Sequence, residues 1–341
     1  TGTAGMKLQL QAIPAAPAAD ALGRPLRDLR ISVMETCNYR CPYCMPEDSV
    51  DDVALGAKQR LDFTDIAQIA KAFVAQGVRK IRLTGGEPLL RRNLPELVSL
   101  LKRIDGLEDL ALTTNGSLLA AQAASLRQAG LDRITVSVDA LENDLFRRMT
   151  GGRGDLFQVL EGISAAERAG FLPIKINCVV QRGLNECQIL PLFEFFRNRG
   201  HILRFIEYMD VGSCNGWCST DVVPAAEILA RLQSAHELIP LAPTAPGEVA
   251  ARYGVAGGGE VGFITSVSSP FCGDCNRARL SVDGKLFTCL FASAGFDLKP
   301  HLRSAERLST EISTLWRHRT DRYSEIRHAA DARKKIEMFF I

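Results

Sequence analysis

Hydrophobic and polar residues alternate in six short segments between residues 29 and 209. In the first segment, Leu29, Ile31 and Val33 alternate with Arg30 and Ser32. Because successive side chains of a β-strand point to opposite faces, a period of two predicts strands with one apolar and one polar face. The predicted strands are Leu29–Met34, Lys80–Thr84, Asp109–Thr114, Arg133–Val138, Pro173–Val179 and Leu203–Met209.

Amphipathic helical patterns separate these strands. The predicted helices are Asp65–Gln76, Leu94–Ile104, Leu118–Gln128, Phe157–Ala169 and Ile189–Asn198. Strand–helix alternation is typical of a parallel sheet covered by helices. Six such units fall short of the eight in a complete TIM barrel. The predicted fold is therefore α/β, an incomplete, open TIM-type barrel of about six βα units.

The polar face of these strands carries basic residues, among them Arg30, Arg82 and Lys175. An antiparallel sheet with one wet side would alternate in the same way. The intervening helices instead favour parallel strands whose apolar face meets the helices, so the polar face points into the barrel. Burying these cations without partners would be costly. We therefore expect the barrel interior, called the lumen below, to hold a polar, anionic ligand.

The strand–helix alternation stops after about Ala242, where prolines and the run Gly257–Gly259 precede short β-like segments. Those segments are Val261–Ser266, Arg279–Val282 and Lys285–Leu290, followed by helical patterns at Ser309–His318 and Asp331–Phe339. Three regions follow from this pattern: a flexible N-terminal lead-in over residues 1–28, the barrel over 29–241, and a C-terminal region over 242–341. We expect the last region to form a small α+β layer that carries the second cysteine set defined below.

Composition restricts the partners and the compartment. A formal net charge of +2 argues against a broad nucleic-acid or membrane-surface interface. No segment approaches the ~18 uninterrupted apolar residues of a membrane span. Ten cysteines without a secretory signal fit metal ligation in a reducing compartment better than disulfides. We predict a cytoplasmic protein without a nucleic-acid or membrane partner.

Six of the cysteines form two sets of three. The first cysteine set, Cys37, Cys41 and Cys44, follows the first predicted strand with the spacing C-x3-C-x2-C. The second cysteine set is Cys272-x2-Cys275-x13-Cys289. A closed zinc or iron–sulfur site takes four protein ligands, so each set would leave one coordination position open. Thiolates at this density suit soft metals or clusters. A zinc ribbon is an alternative for the second set, although a ribbon would have a second C-x2-C pair.

Two further motifs lie beside these cysteines. Gly85-Gly86-Glu87-Pro88 follows the second predicted strand, where glycines allow a ligand to approach the backbone. Arg277 and Arg279 follow the second cysteine set at positions i and i+2, so an extended backbone would place both on one face. They could lie at a solvated strand edge, but their position between cluster ligands favours an anion clamp, and they are the candidate catalytic side chains.

Together these motifs resemble the radical S-adenosylmethionine (SAM) superfamily and, within it, the family of GTP 3′,8-cyclases of molybdenum-cofactor biosynthesis. The resemblance runs from about Asp28 to Leu290. The matching segments are Asp28-Leu-Arg30-Ile-Ser, Cys41-Pro-Tyr-Cys44-Met-Pro, Arg82-Leu-Thr-Gly-Gly-Glu-Pro-Leu-Leu-Arg91, Thr113-Thr-Asn-Gly116, Ser137-Val-Asp139 and Cys272-Gly-Asp-Cys275-Asn-Arg-Ala-Arg279.

The resemblance implies two [4Fe–4S] clusters, one on each cysteine set, with SAM on the first and the guanine of GTP near the second. It implies that Glu87 lies near the SAM amino group. The implied SAM contacts are Tyr43, Gly86, Ser137 and Met209. The implied GTP contacts are Arg30, Arg82, Thr113, Lys175, Arg277, Ala278 and Arg279. It also implies a C-terminal Gly-Gly pair, whereas the printed sequence ends Met338-Phe-Phe-Ile341.

The implied reaction is reductive cleavage of SAM to a 5′-deoxyadenosyl radical that takes hydrogen from ribose C3′ of GTP, after which C3′ joins guanine C8. The product would be 3′,8-cyclo-7,8-dihydro-GTP. The implied partners are an electron donor and a pterin synthase that receives the product, and a homodimer is compatible with the family.

Two alternatives stay open from the sequence. One is another radical SAM enzyme with a single auxiliary cluster that modifies a peptide or protein; such enzymes often have longer C-terminal cysteine sets. The other is a non-enzymatic iron–sulfur or zinc sensor, which would need neither the G-G-E-P motif nor a basic lumen.

Overall fold

All six predicted barrel strands are present in the computed structural model, which describes residues 18–45, 59–212 and 214–327. They are β1 (Asp28–Ser32), β2 (Lys80–Thr84), β3 (Asp109–Thr114), β4 (Arg133–Ser137), β5 (Lys175–Val180) and β6 (Ile202–Glu207). Each pairs in parallel with the next along the chain. The predicted parallel α/β sheet is therefore confirmed, with strand ends within one or two residues of those expected.

Six of the nine α-helices in the described ranges lie between these strands as expected, and the other three follow β6. The nine helices are α1 (Phe63–Ala75), α2 (Leu94–Lys102), α3 (Leu119–Gln128), α4 (Asn143–Met149), α5 (Leu156–Arg168), α6 (Ile189–Arg197), α7 (Ala225–Gln233), α8 (Ala305–Arg317) and α9 (Tyr323–Ile326). The sequence pattern did not predict α4, whose seven residues span only about two turns, nor α7, nor the four-residue α9. The predicted helix Asp331–Phe339 lies outside the described residues.

The remaining strands are β7 (Leu238–Leu241), β8 (Ala251–Val255), β9 (Glu260–Ile264), β10 (Arg277–Leu280), β11 (Lys285–Phe287) and β12 (Phe296–Asp297). Instead of forming a layer apart, they extend both edges of the barrel sheet. β10 pairs in parallel with β1, and β9 pairs in parallel with β6. The reason is that open edges of β1 and β6 present unpaired backbone groups that accept another strand.

The resulting twelve-stranded sheet runs β12-β11-β10-β1-β2-β3-β4-β5-β6-β9-β8-β7. Over the described residues its two ends do not pair with each other, in agreement with the predicted open barrel. The apolar positions of the barrel strands are buried in the main core; Leu29, Ile31 and Ile81 are fully buried there. The polar positions face the lumen, as the alternation predicted. The division at residues 241/242 stays a prediction.

Residues 18–28 pack against the barrel, which differs from the flexible lead-in predicted there. The amide of Ala18 donates to the carbonyl of Gln76 at 3.1 Å. The Asp20 carboxylate is buried and pairs with Arg24 at 2.6 Å. A turn closed by a buried ion pair has no signature in a stretch rich in alanine and proline. None of the helices in the described part of the chain is long and apolar enough to span a membrane.

Candidate active site

A cavity of about 920 Å³ fills the lumen and reaches from the carboxyl ends of the strands to their amino ends. Most of the residues predicted from the sequence line it. Those are Arg30, Tyr43, Arg82, Thr113, Ser137, Lys175, Met209, Arg277, Arg279, Cys272, Cys275 and Cys289. The predicted residues that do not line it are Gly86, Glu87, Ala278 and the three cysteines of the first set.

Ala278 lies on the opposite face of β10, fully buried in the hydrophobic core beside Leu29. Its side chain therefore points away from the lumen, and only its backbone is available to a ligand there. Arg277 and Arg279 both face the lumen, as the spacing predicted. They do not lie on a solvated edge, because β10 is paired on both sides and both side chains are buried.

Three arginines lie in register across neighbouring strands: Arg279 pairs with Arg30, and Arg30 pairs with Arg82. Burial is the main reason that all three guanidinium pKa values are lowered, to about 9 for Arg279 and about 10 for the other two. Repulsion from neighbouring arginines lowers them further. This arginine row is therefore charged at neutral pH but electrostatically unfavourable, a state that a bound anion would relieve.

Lys175 and Arg204 extend the basic surface on the far side of the lumen. Burial, followed by repulsion from Arg204 and Arg133, lowers the pKa of Lys175 to about 7. Arg204 was missed among the sequence-based site residues, although it follows the same parity rule: apolar Leu203 and Phe205 flank it in β6. Gly262 of β9 makes room for this side chain, since an added Cβ would lie 3.2 Å from Arg204 Cγ.

The amino ends of the strands carry a different charge pattern, in which cations are neutralised. Asp28, Lys80 and Asp109 occupy adjacent registers of β1, β2 and β3. Lys80 Nζ lies 3.7 Å from Asp28 Oδ2, and Arg133 forms an ion pair with Asp109. By contrast, none of Arg30, Arg82, Lys175 and Arg204 forms a salt bridge with a residue of the described ranges; Arg82 instead donates to the hydroxyls of Thr113 and Thr135. The positive charge without a carboxylate partner is therefore concentrated in the lumen, beyond the ion pairs at the amino ends of the strands.

The loop that follows β1 carries the first cysteine set and packs against the loop that follows β2. An added Cβ would lie 2.3 Å from Met34 O at Gly85 and 2.2 Å from Thr36 O at Gly86. Both glycines are therefore needed for the two backbones to touch. The amide of Gly86 donates to Met34 O at 2.6 Å, which fixes the position of the cysteine loop.

The three thiols of the first set lie within electrostatic reach of one another. Burial, followed by the charges of Cys44, Asp139 and Cys37, raises the pKa of Cys41 well above its usual value. The Cys37 sulfur accepts hydrogen bonds from the Tyr39 amide at 3.3 Å and from the Asn115 side chain at 3.7 Å. Three neighbouring thiols with polar support are a donor set suited to an iron–sulfur cluster, whose iron would stabilise the ionised form of each ligand.

Two carboxylates brace this region. Asp139 accepts from the Tyr43 hydroxyl at 2.6 Å and from the Val179 amide at 2.8 Å, and burial raises its pKa to about 6. The oxygens of Glu87 accept from the amides of Leu89 and Asn115 and from the Thr114 hydroxyl. Glu87 is buried outside the cavity lining, so the structure gives it a loop-bracing role that the sequence did not predict.

The second cysteine set lies on the cavity wall among cations. The Cys275 sulfur accepts from Arg277 at 3.3 Å and from Arg319 at 3.2 Å. Burial opposes ionisation of this thiol, but the two guanidiniums outweigh it and bring the pKa to about 6. Burial and then the Asp321 charge raise the pKa of Cys289 to about 11.

No three His, Cys, Asp or Glu side chains within the described ranges are drawn together as they would be around a single metal ion. An iron–sulfur cluster is held instead by thiolates on separate irons. The residues fit such a group in donor type, because each set supplies three thiols with hydrogen-bond or cationic support. N–H groups that donate hydrogen bonds to the ligand sulfurs are typical of iron–sulfur sites.

Curated relatives match nearly the whole chain. A protein of Xanthomonas campestris called GTP 3′,8-cyclase is 61% identical over 333 residues, covering 96% of this chain and 98% of that protein. Proteins of the same name from Acidothermus cellulolyticus and Staphylococcus aureus are 53% and 46% identical; they cover 91% and 94% of this chain, and 89% and 98% of their own lengths.

Two family models also match, Radical SAM superfamily over residues 31–196 and Molybdenum Cofactor Synthesis C over residues 201–325. Among solved structures, Streptococcus suis SuiB bound to S-adenosylmethionine superposes with a TM-score of 0.62 at 14% identity, covering 89% of this chain and 68% of that one. This likeness supports the fold alone. Given the identity and coverage of the curated relatives, the chain belongs to the radical SAM superfamily and, within it, to the GTP 3′,8-cyclase family.

Proposed function

We propose that this chain converts GTP into 3′,8-cyclo-7,8-dihydro-GTP, an early step of molybdenum-cofactor biosynthesis. The observation that carries the proposal is the group of partly or fully buried lumen cations without carboxylate partners, Arg30, Arg82, Lys175 and Arg204. They line a cavity whose wall also includes the second cysteine set and Tyr43 from the loop of the first set. A nucleoside triphosphate supplies the negative charge that these cations lack. The names of the relatives point to the same substrate.

SAM and an iron–sulfur cluster are the cofactors of the superfamily. In this chain Cys37, Cys41 and Cys44 would hold the cluster, and together with SAM it would supply a 5′-deoxyadenosyl radical. Tyr43, Ser137 and Met209 line the cavity where SAM would lie. Gly86 would offer its backbone, and the Asp139 carboxylate orients the Tyr43 hydroxyl. These residues would hold the cofactor against the substrate and keep water away from it.

Cys272, Cys275 and Cys289 would hold a second [4Fe–4S] cluster that faces the guanine base. Arg277 and Arg279 would act as the catalytic side chains beside it, with Ala278 contributing backbone only. Arg30, Arg82, Lys175 and Arg204 would bind the triphosphate, with Thr113 holding Arg82 in place. The lumen thus orients ribose between the two cysteine sets, which is the positional requirement of the reaction.

The direct test uses the full chain, reconstituted anaerobically with iron and sulfide and supplied with dithionite, SAM and GTP. We expect 5′-deoxyadenosine and a cyclised nucleotide to form together. Formation of 5′-deoxyadenosine without any nucleotide product would contradict the substrate assignment. Absence of 5′-deoxyadenosine from cluster-loaded protein would contradict the radical reaction itself.

The pH dependence of GTP binding provides a second prediction. Lys175 has a pKa of about 7 in the free lumen, and a nearby polyanion would raise it. Binding then takes up a proton, so affinity should fall as pH rises through the window above 7, by up to about tenfold per pH unit. The dissociation constant measured by calorimetry between pH 7.5 and 8.5 checks this, because the charge of GTP changes little there.

Lys175→Arg is the informative variant, since arginine stays charged across this range. It should bind GTP with a weaker pH dependence than the parent chain. Lys71→Arg, on the exposed face of α1, should keep the parent's dependence. Equal slopes for all three proteins would assign the pH effect to another group.

We further propose a cytoplasmic location, an electron donor that reduces the first cluster, and a pterin synthase that receives the product. A homodimer is compatible with this proposal, and a formal net charge of only +2 supports function without nucleic acid.

A further inference from the structure

Two buried arginines from opposite ends of the chain reach the backbone of the second cysteine set. Arg24 precedes β1, and its NH1 group donates to Cys272 O at 2.8 Å. Arg319 follows α8, and its NH1 group donates to Cys275 O at 2.6 Å. Arg319 Nε also donates to Thr288 O at 3.0 Å, next to Cys289. Between them, the two guanidiniums hold the segments of all three cysteines.

One carboxylate joins these two arginines. Asp20 Oδ2 lies 2.6 Å from Arg24 Nε and 3.1 Å from Arg319 NH1. Asp20 Oδ1 accepts from the Arg24 amide at 2.9 Å, so its position is fixed by the local turn. The exposed fractions of Asp20, Arg24 and Arg319 are 6%, 2% and 4%, so the Asp20 network, as we call these three residues, is shielded from water.

The Asp20 network is poorly explained by stability alone. A buried ion triad pays a large desolvation penalty, and well-packed apolar residues often stabilise a protein equally well. Arg319 has a second carboxylate partner, since its Nε lies 3.6 Å from Asp321 Oδ2. Its remaining NH2 group is directed at a thiol and lies 3.2 Å from Cys275 Sγ. Trp316 contacts both arginines. Its ring lies 4.6 Å from the Arg319 guanidinium, and its indole N–H donates a hydrogen bond to Arg24 O.

We propose that Asp20, Arg24 and Arg319 are positioning residues for the second cluster, and that Arg319 raises the reduction potential of that cluster through its hydrogen bond to Cys275. The proposal rests on the second cluster of the proposed function. A cationic N–H donor withdraws electron density from a ligand sulfur and stabilises the more negative, reduced state. The network also clamps the three ligand segments, so it should slow the loss of iron.

The test uses the full chain carrying Cys41→Ala, so that the remaining iron belongs to the second set. Arg319→Gln removes the charge, Arg319→Lys keeps the charge without the planar fork, and Asp20→Asn removes the shared anion with little change in shape. Arg317→Gln, an exposed arginine two residues away, is the matched control. Iron loss to a chelator and the dithionite titration of the cluster, followed by its spectrum, are measured for each variant.

We expect Arg319→Gln to change the ratio of reduced to oxidised cluster by about tenfold at a fixed potential, which is about 59 mV for a one-electron couple. Iron should leave Arg319→Gln and Asp20→Asn about 10–100 times faster than the Cys41→Ala parent. The reduction potential of Arg319→Lys should lie closer to that of the parent than the potential of Arg319→Gln does. Arg317→Gln should match the parent in both reduction potential and iron loss.

Unchanged potential and iron retention in Arg319→Gln would overturn the inference while leaving GTP cyclisation by the wild-type chain untouched. Equal effects of Arg317→Gln would overturn it as well. If Arg319→Gln does not fold, Arg319→Lys and Asp20→Asn test the inference in its place, and parental behaviour of both would overturn it. A Cys41→Ala parent that binds no cluster would overturn both this inference and the proposed second cluster.

Discussion

Replacing Cys41 with alanine is expected to abolish 5′-deoxyadenosine formation and to remove about half of the iron. The full chain should bind about eight irons if both sets hold four-iron clusters, and the variant about four. Cys41 lies between the other two thiols of its set in the sequence, and burial, followed by the charges of Cys44, Asp139 and Cys37, raises its pKa. Iron analysis and chromatography of the SAM products provide the measurement.

Cys272→Ala should remove a similar amount of iron but should affect the two products differently. The first cysteine set and the loop around it stay intact, so SAM cleavage should persist while the cyclised nucleotide disappears. Cys187→Ala, at an exposed cysteine outside both sets, is the control and should keep both activities and all iron. If Cys41→Ala retained SAM cleavage, the first set would not be the radical-generating site.

Arg30→Met is expected to weaken GTP binding by roughly 10- to 100-fold, since a hydrogen bond to a charged group contributes about 1.5–3 kcal/mol. The same change should leave the thermal stability of the ligand-free protein equal or higher. Burial, repulsion from Arg277 and repulsion from Arg82 make the charged form of Arg30 unfavourable in the lumen, even though Asp28 partly compensates. Calorimetric binding and thermal unfolding of ligand-free protein measure the two effects.

Arg103→Met, on the exposed end of α2, is the matched control and should change neither quantity. The opposite signs for binding and stability distinguish a ligand-binding cation from a structural one. A large fall in stability without a fall in affinity would mean that Arg30 serves the fold and that the triphosphate binds elsewhere.

Strand parity accounts for much of what the sequence predicted correctly. A period of two fixes which side chains share a face, and helices fix which face points outward. Arg30, Arg82 and Lys175 could therefore be assigned to the lumen from the sequence alone. The same rule applies to Arg204, which shows that the residue was missed through incomplete use of the pattern.

Other parts of the site depend on contacts between distant segments and leave no local pattern. Asp20 and Arg319 meet because β10 joins β1 and α8 packs against α1, which brings the C-terminal region to the N-terminal turn. The placement of Glu87 depends on donors from the next loop, Thr114 and Asn115. Sequence spacing can predict a motif, but these partners are set by tertiary packing.

The pairing of β10 with β1 also has a consequence for biosynthesis. Ribosomes release β1 early, yet its outer edge stays unpaired until Leu280 has emerged. Before then, the nascent chain lacks Arg277, Arg279 and the second cysteine set, and it exposes a strand edge prone to aggregation. The substrate chamber is therefore completed only after the C-terminal region has been synthesised, whereas the first cysteine loop can fold against the loop that follows β2 much sooner.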